Sequence, residues 1–142
     1  MAGKISLEIV TPERIVISVD EAEMIVSPGE LGDFGVLKGH TPFLTSLRTG
    51  SLRYLTSGGQ EKVVFIKGGF AEALPNKVTI LADAAETREE IDLKRAEEAK
   101  KRAEKRLDDY VSKQEEIDLE RARAAYQRAE ARLKIVIREM IK

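Results

Sequence analysis

Residues 77–103 read KVTILADAAETREEIDLKRAEEAKKRA, and the hydrophobic period changes within this stretch. Its first five residues, KVTIL, are rich in β-branched and aliphatic side chains, which is typical of a buried strand. After Ala85, glycine and proline are absent, and the strong helix formers Ala, Glu, Lys, Arg and Leu dominate. The stretch therefore predicts a β half that ends near residue 85 and an α half that follows it.

The residues before this change have the pattern of short strands separated by turns. Residues 5–9, ISLEI, alternate apolar and polar side chains, as a half-buried strand does. Residues 57–60, SGGQ, predict a hairpin tip because glycine reaches the positive φ angles of tight turns without steric cost, and residues 75–76, PN, predict another turn. The regular spacing of the strands predicts a sandwich or barrel over residues 1–85.

Two apolar stripes with three- and four-residue steps divide residues 86–142 into two helices. The polar connection between them, residues 108–116, is short, so we expect an antiparallel helical hairpin. Alanine in the stripes permits close packing of the two helices. The stripe residues are Ala96, Ala99, Ala103, Leu107 and Tyr110 in the first helix, and Ala122, Tyr126, Ala129, Leu133, Val136 and Met140 in the second.

The hairpin sequence also repeats itself. Residues 91–96, IDLKRA, return as residues 117–122, IDLERA, and each copy is followed by an Arg-Ala-Glu triplet at the same offset. Helix capping is one explanation: Thr87 and Ser112 each stand three residues before a glutamate, as in a capping box, and an aspartate near a helix start favours the positive end of the helix dipole.

Composition and charge exclude several classes of protein. The 24 basic and 25 acidic side chains give a net charge of −1, so no global field favours nucleic acid. The absence of cysteine excludes a disulfide framework and a thiolate metal site, and it suits a reducing compartment. No signal peptide is recognisable, and no apolar run approaches the roughly 18 residues of a membrane span, so we expect a soluble protein.

The last helix is locally cationic, with seven basic and two acidic residues over residues 121–142. A solvated helix face explains this composition, and so does an acidic partner surface or a phosphate ligand. The basic residues considered for a partner surface are Arg121, Arg123, Arg128 and Arg132.

Residues 28–42, PGELGDFGVLKGHTP, resemble the Gly-Glu-Leu-Gly to Gly-His-x-Pro segment of bacterial F-type ATP synthase epsilon subunits. Residues 68–72, GGFAE, and residues 76–82, NKVTILA, match further motifs of this family, and the resemblance covers essentially the whole chain. Lys38 departs from the pattern, because the family often has proline there.

The resemblance implies a flattened sandwich of about ten strands that sits on the central stalk and contacts the gamma subunit and the ring of c subunits. Such a subunit is peripheral, at the cytoplasmic face of the bacterial plasma membrane. By position, Glu30 and Leu31 would face the c ring, although a tight turn alone explains the glycines beside them. We assign the single histidine, His40, a structural role, because a metal or catalytic role needs partners.

The resemblance also implies an ATP site, because a subset of the family binds ATP through an Ile/Leu-Asp-x-x-Arg-Ala motif that residues 91–96 match. Helical spacing agrees with this reading: Arg95 and Arg102 share one helix face, and a facing arginine pair on the second helix would complete a cluster suited to a triphosphate. Ordinary ion pairs, Asp92 with Arg95 or Glu98 with Arg102, are the alternative. The candidate ATP-binding residues are Glu86, Ile91, Asp92, Arg95, Ala96, Arg102, Arg128 and Arg132.

No catalytic motif accompanies this site, since the sequence has no Gly-x-x-x-x-Gly-Lys-Ser/Thr loop, no magnesium carboxylate set and no activated nucleophile. We therefore expect ATP to be a regulatory ligand, with no metal required, of a subunit that is not an enzyme. The resemblance implies that ATP holds the hairpin compact, and that its loss lets the helices extend towards the alpha and beta subunits and block ATP hydrolysis.

Two alternatives remain. The first is the same subunit with an inhibitory hairpin that does not sense ATP. The second is a chaperone-like or polymerase-associated factor that uses a coiled-coil hairpin as a probe, for which Asp108 and Asp109 would supply the acidic tip. The Gly-Glu-Leu-Gly loop argues against the second alternative.

Overall fold

The computed structural model describes residues 3–113 and 118–141, with the side chains of all of these except residues 112, 113 and 138–141. The chain divides into two compact units, Met1–Glu89 and Glu90–Lys142. We call them the β unit and the hairpin.

The described part of the β unit contains nine strands and, at its end, a single 3₁₀ turn, Arg88–Glu90, that runs one residue into the hairpin. The strands are β1 (Ile5–Val10), β2 (Ile15–Gly29), β3 (Gly32–Val36), β4 (Phe43–Leu47), β5 (Gly50–Thr56), β6 (Glu61–Lys67), β7 (Gly69–Leu74), β8 (Lys77–Leu81) and β9 (Ala84–Thr87).

The long strand β2 connects the strands of the β unit. Its first part, residues 15–22, pairs with β1, and its second part pairs with β3 and β5. At its end, Gly29 pairs with Leu47 of β4. Strands β1, β8, β7, β4 and β2 thus form a closed ring, from which β5, β6 and β9 continue in that order. One strand therefore serves two layers of the sandwich.

Alternation along the strands gives the β unit its own core. In β1 and β8 every second side chain is buried, and the parallel pairing of these strands places Leu7 beside Val78 and Ile9 beside Ile80. Burying one such aliphatic side chain contributes about 1.5–3 kcal/mol. The largest fully buried side chains include Phe65, Ile5, Leu7, Ile9, Ile25, Leu52, Ile66 and Ile80.

The sandwich followed by a two-helix hairpin confirms the predicted fold class. The turn at residues 57–60 also forms, with the Thr56 N–H donating to the Gln60 carbonyl at 2.9 Å and Gly59 at φ +82°. About ten strands were expected and nine are described, because β2 runs unbroken through both of its pairings. The sheet also continues past the predicted end near residue 85, because β9 pairs with β6 as far as Thr87.

The hairpin consists of α1 (Leu93–Lys113) and α2 (Leu119–Ile141). The centres of both predicted stripes are buried, at Ala96, Ala103, Ala122, Ala129 and Leu133. Two residues differ from the prediction. Tyr110 of the first stripe is 41% exposed, and Ile135, which belongs to neither stripe, is 3% exposed. The side chain of Met140 lies outside the described residues.

Neither α1 nor α2, over the residues that the structure describes, has the length and apolarity that crossing a membrane requires.

Candidate ligand-binding edge of the helical hairpin

Both helices of the hairpin begin with an aspartate N-cap. The Arg95 N–H donates to Asp92 Oδ1 at 3.0 Å, and the Arg121 N–H donates to Asp118 Oδ1 at the same distance. Such a cap contributes about 1 kcal/mol to a helix. Thr87 therefore does not cap α1, which starts only at Leu93; it ends β9 and directly precedes the 3₁₀ turn Arg88–Glu90. The box predicted from Ser112 to Glu115 lies outside the described side chains.

One edge of the hairpin holds an ion-paired cluster that joins the two helices. Lys100 Nζ of α1 lies 5.7 Å from the ring centre of Tyr126 in α2. Lys134 Nζ lies 2.8 Å from Glu130 Oε1. The hydrogen bond from Lys134 lowers the pKa of Glu130, and Tyr126 and the charge of Lys100 act in the same direction, against partial burial. These contacts place residue 100 level with residues 126–130, so α1 and α2 lie side by side and antiparallel.

The predicted arginines lie on the opposite edge. Arg95 and Arg102 immediately precede buried Ala96 and Ala103, and the two arginines of α2 bear the same relation to buried Ala129 and Leu133. Successive residues are about 100° apart around a helix, so the residue before a buried one lies to one side of the seam between the helices. Because α2 runs antiparallel to α1, this is the same side for both helices. The structure thus places all four arginines along one edge.

Two more arginines share this position. Arg106 precedes Leu107, and Arg121 precedes buried Ala122. Arg106 was not predicted from the sequence, although its place just before a stripe residue is a signal that identifies it. Arg123 was predicted to act with Arg121, but Arg123 follows Ala122 and so turns to the other edge. We define the arginine edge as Arg95, Arg102, Arg106, Arg121, Arg128 and Arg132.

Most of these guanidinium groups lack a carboxylate partner. Arg128 and Arg132 are partly buried and the other four are exposed. Within residues 3–113 and 118–141, no ion pair involves any of Arg95, Arg102, Arg106, Arg121 or Arg128. The alternative pairs, Asp92 with Arg95 and Glu98 with Arg102, are thus not formed among the described residues. Adjacent unneutralised cations repel each other, so this edge favours a bound anion.

The remaining candidate residues have different surroundings. Ala96 is buried between the helices, where its small side chain allows close packing. Ile91 is 8% exposed, just before α1. Glu86 belongs to the β unit, on β9, where it pairs with Phe65. The structure therefore gathers four arginines and the Asp92 cap in the hairpin, while Glu86 stands on a separate unit.

The turn between β2 and β3 carries the other predicted contact residues. Two hydrogen bonds with Ser46 fix the position of Glu30. Ser46 Oγ donates to the Glu30 carboxylate, and the Glu30 N–H donates to the Ser46 carbonyl at 3.1 Å. Leu31 is fully exposed, at 106%. Gly32 has a φ of +137°, a conformation that glycine adopts easily, so the turn explains why this residue is a glycine. The turn does not explain why the exposed residue before it, Leu31, is apolar.

His40 has the structural surroundings expected of it. Its Nδ1 lies 2.7 Å from the Thr41 carbonyl, and its ring packs edge-on against Phe43 at 5.5 Å between centroids. Among the residues that the structure describes, no three His, Cys, Asp or Glu side chains are arranged to hold a metal ion. What the site can do chemically is bind an anion along the arginine edge.

The fold is that of a two-unit protein, a β-sandwich followed by an antiparallel helical hairpin with one cationic edge. Residues 4–88 match the family model described as ATP synthase, Delta/Epsilon chain, beta-sandwich domain, and residues 89–136 match the long alpha-helix domain of the same chain. The chain belongs to this family. It is an epsilon-type, non-catalytic subunit of ATP synthase.

Sequence relatives agree with this assignment. The chain is 54% identical over 108 residues to the ATP synthase epsilon chain of Desulfosudis oleivorans, covering 76% of this chain and 80% of the relative. It is 56% identical over 107 residues to the epsilon chain of Desulforapulum autotrophicum, covering 75% and 78%.

Solved structures agree in fold. A chain of the Euglena gracilis mitochondrial ATP synthase OSCP/F1/c-ring structure matches with a TM-score of 0.78 at 22% identity, over 100% of this chain and 84% of that one. A chain of the Tetrahymena thermophila mitochondrial central stalk and c ring matches with a TM-score of 0.56 at 13% identity, over 97% of both. At these identities the likeness shows the fold alone.

Proposed function

We propose that the hairpin of this subunit binds ATP along its arginine edge, and that bound ATP favours the compact hairpin over an extended, inhibitory one. The observation that carries the proposal is that Arg95, Arg102 and Arg128 lie on one edge and form no ion pair with the carboxylates of the described residues. Forked arginine donors suit the several acceptor oxygens of a triphosphate.

The charged candidate residues have separate roles in this proposal. Arg95, Arg102, Arg128 and Arg132 hold the phosphates, and no metal is required. Asp92 uses Oδ1 for the helix cap, and because a carboxylate has about four lone-pair sites, Oδ2 remains an acceptor for the adenine amino group or the ribose. Glu86 is the proposed second acceptor.

ATP would regulate by shifting a population between two states. It favours the compact hairpin only to the extent that it binds this state more tightly than the extended one. When ATP leaves, the hairpin opens, and the basic residues of α2, Arg121, Arg123, Arg128 and Arg132, become available to acidic segments of the alpha and beta subunits. This contact is the proposed basis for inhibiting ATP hydrolysis.

The two aspartate caps offer a matched test of ATP binding. Asp92→Ala and Asp118→Ala each remove one cap with the same geometry, at a cost of about 1 kcal/mol. Titration calorimetry with ATP in EDTA should show an affinity loss of about tenfold or more for Asp92→Ala, and of less than about threefold for Asp118→Ala.

Equal losses in both variants would mean that Asp92 acts through helix stability and not through the ligand. No ATP binding to the wild-type chain would leave the alternative of an inhibitory hairpin that does not sense ATP.

We further propose that the β unit contacts the rotor, with Glu30 and Leu31 of the β2–β3 turn at the c ring and the gamma subunit beside it. The subunit would then lie peripherally at the cytoplasmic face of the bacterial plasma membrane. The supporting observation is the exposed leucine on a turn whose neighbouring glutamate is fixed by Ser46.

Leu31→Asp should weaken binding of the subunit to a detergent-solubilised c ring carrying gamma by about tenfold or more, because a charge would enter an apolar contact. Ile15→Asp is the control, since Ile15 is also exposed, at 60%, but begins β2 at the end opposite this turn. Surface plasmon resonance measures both variants. Unchanged binding of Leu31→Asp would remove this turn from the interface.

A further inference from the structure

We propose a second phosphate-binding position at the other end of the arginine edge, formed by Arg106 and Arg121 beside the central pair Arg102 and Arg128. It would take a phosphate anion that carries no base, such as pyrophosphate. The inference rests on the proposed function for the identity of the first position and for the acceptor roles of Asp92 and Glu86 there.

The sequence repeat relates the two ends of the edge. A shift of 26 residues, which carries Ile91 to Ile117, also carries Arg95, Arg102 and Arg106 onto Arg121, Arg128 and Arg132. All three arginines of α1 therefore have an arginine counterpart in α2. A shared helix cap alone would not extend the match over two further turns.

The structure repeats in the same way. The two aspartate caps have equal distances of 3.0 Å. The seam alanines match in burial, with Ala96 and Ala122 at 4% and 2% exposure, and Ala103 and Ala129 at 2% and 1%. Two equivalent antiparallel helices are related by an approximate two-fold axis across their seam. This axis exchanges the two ends of the arginine edge.

The arginines are arranged as three facing pairs along the edge. The Lys100–Tyr126 contact sets the relative height of the helices and places Arg102 beside Arg128. Counting outward from that pair, Arg95 is seven residues away and Arg132 four, so these two arginines differ in height by about 4.5 Å, as do Arg106 and Arg121, which is within the reach of arginine side chains. At about 1.5 Å per residue the outer pairs are roughly 16 Å apart along α1, too far for one phosphate group to reach both.

The second outer pair, Arg106 and Arg121, has the electrostatic properties of an anion-binding site. Arg106 and Arg121 are exposed, and neither forms an ion pair within the described ranges 3–113 and 118–141. By helical position the nearest acidic residues are Asp118, three residues before Arg121, whose Oδ1 accepts the Arg121 N–H, and Asp109, three residues after Arg106. Guanidinium groups pair with phosphate through two parallel hydrogen bonds, so two facing arginines provide enough donors for one phosphate group.

The repeat also bears on the class of ligand. The 26-residue shift carries Asp92, the proposed acceptor for the base or ribose, onto Asp118, and carries Glu86, the proposed second acceptor, onto Ser112, which has no carboxylate. The second position therefore keeps the phosphate donors and has one acceptor fewer. Its expected ligand is a phosphate anion whose binding does not depend on recognition of a base.

Calorimetric titration of the full chain with pyrophosphate, in EDTA and at about 0.15 M salt to limit nonspecific attraction, tests the inference. The wild-type chain should bind two pyrophosphates. The double variant Arg106→Gln/Arg121→Gln should bind one, which ATP displaces. The double variant Arg95→Gln/Arg132→Gln should also bind one, which ATP does not displace.

The control also removes two positive charges, but from positions of α2 outside the arginine edge. Arg123→Gln/Lys134→Gln should still bind two pyrophosphates, and circular dichroism should show all variants equally helical. One or no pyrophosphate on the wild-type chain, or two on Arg106→Gln/Arg121→Gln, would overturn the inference. If the wild-type chain binds two pyrophosphates and ATP displaces neither, the second position stands and ATP binding fails.

Discussion

Gly69→Ala should destabilise the β unit by about 3 kcal/mol or more, a large part of the roughly 5–15 kcal/mol that stabilises a typical domain. Gly69 starts β7 with φ +109°, a backbone conformation that other residues rarely adopt. An alanine Cβ there would lie 2.0 Å from the Leu81 carbonyl oxygen and 2.8 Å from Ala82 Cα. These are backbone atoms next to the β7–β8 pairing, in which Phe70 is opposite Leu81, so relief would require breaking the sheet.

Gly59→Ala separates the two causes of this effect. Gly59 also has a positive φ, +82°, but a Cβ there meets nothing within 4 Å. Gly59→Ala should therefore lower the free energy of unfolding only through backbone strain, by about 1–2 kcal/mol. Urea denaturation measures both variants. Equal losses would show that the close approach of Gly69 to Leu81 adds nothing.

Ala129→Asp should open the hairpin while the β unit stays folded. Ala129 is 1% exposed between the helices, and a carboxylate buried there without a partner costs several kcal/mol. Because the β unit has its own core, the loss should be confined to the second unit. Hydrogen exchange should accelerate about 100-fold or more in the amides of α1 and α2 and remain unchanged in β1, β5 and β8.

Gln127→Asp is the control, because it places an aspartate two residues before Ala129, on the exposed side of α2. It should change hydrogen exchange in the hairpin by less than about threefold, because the new carboxylate stays in water. If Ala129→Asp behaved like this control, the alanine seam would not be what holds the helices together. The seam then could not provide the two-state behaviour on which regulation by ATP depends.

Local signals in the sequence were sufficient for several elements. The turn at residues 57–60 was predictable because glycine is needed where φ is positive, and Gly59 has that conformation. The helices were predictable because the stripe at Ala96 and Ala103 follows the helical period and is buried in the structure. The start of α1 was misread, because Thr87 fits a capping box as well as Asp92 fits a simple cap.

The pairing of distant strands had no such signal. β1 pairs in parallel with β8, about 70 residues later, and β2 pairs along its length with four different strands. An alternating pattern shows which side chains of a strand are buried, but not which strand lies beside it. The hydrogen bond from Ser46 to Glu30, which is next to the exposed Leu31, likewise joins residues 16 apart in the chain.

The candidate site divides in the same way. The sequence placed Arg95 with Arg102, and Arg128 with Arg132, on their own helices, because residues four and seven apart share a helix face. It did not reveal that both pairs share one edge of the hairpin, that Arg106 joins them, or that Arg123 does not. Those facts require the relative height and direction of the helices, which the contact of Lys100 with Tyr126 defines.

The change of hydrophobic period around residue 85 by itself determined that a β half is followed by a helical hairpin. This was possible because strand and helix periods are properties of neighbouring residues. Only the tertiary structure decided that the sheet runs on to Thr87, that one long strand joins two layers, and that six arginines align on one edge. These features arise from contacts between residues far apart in the chain, where backbone pairing and helix packing, and not local sequence, set the geometry.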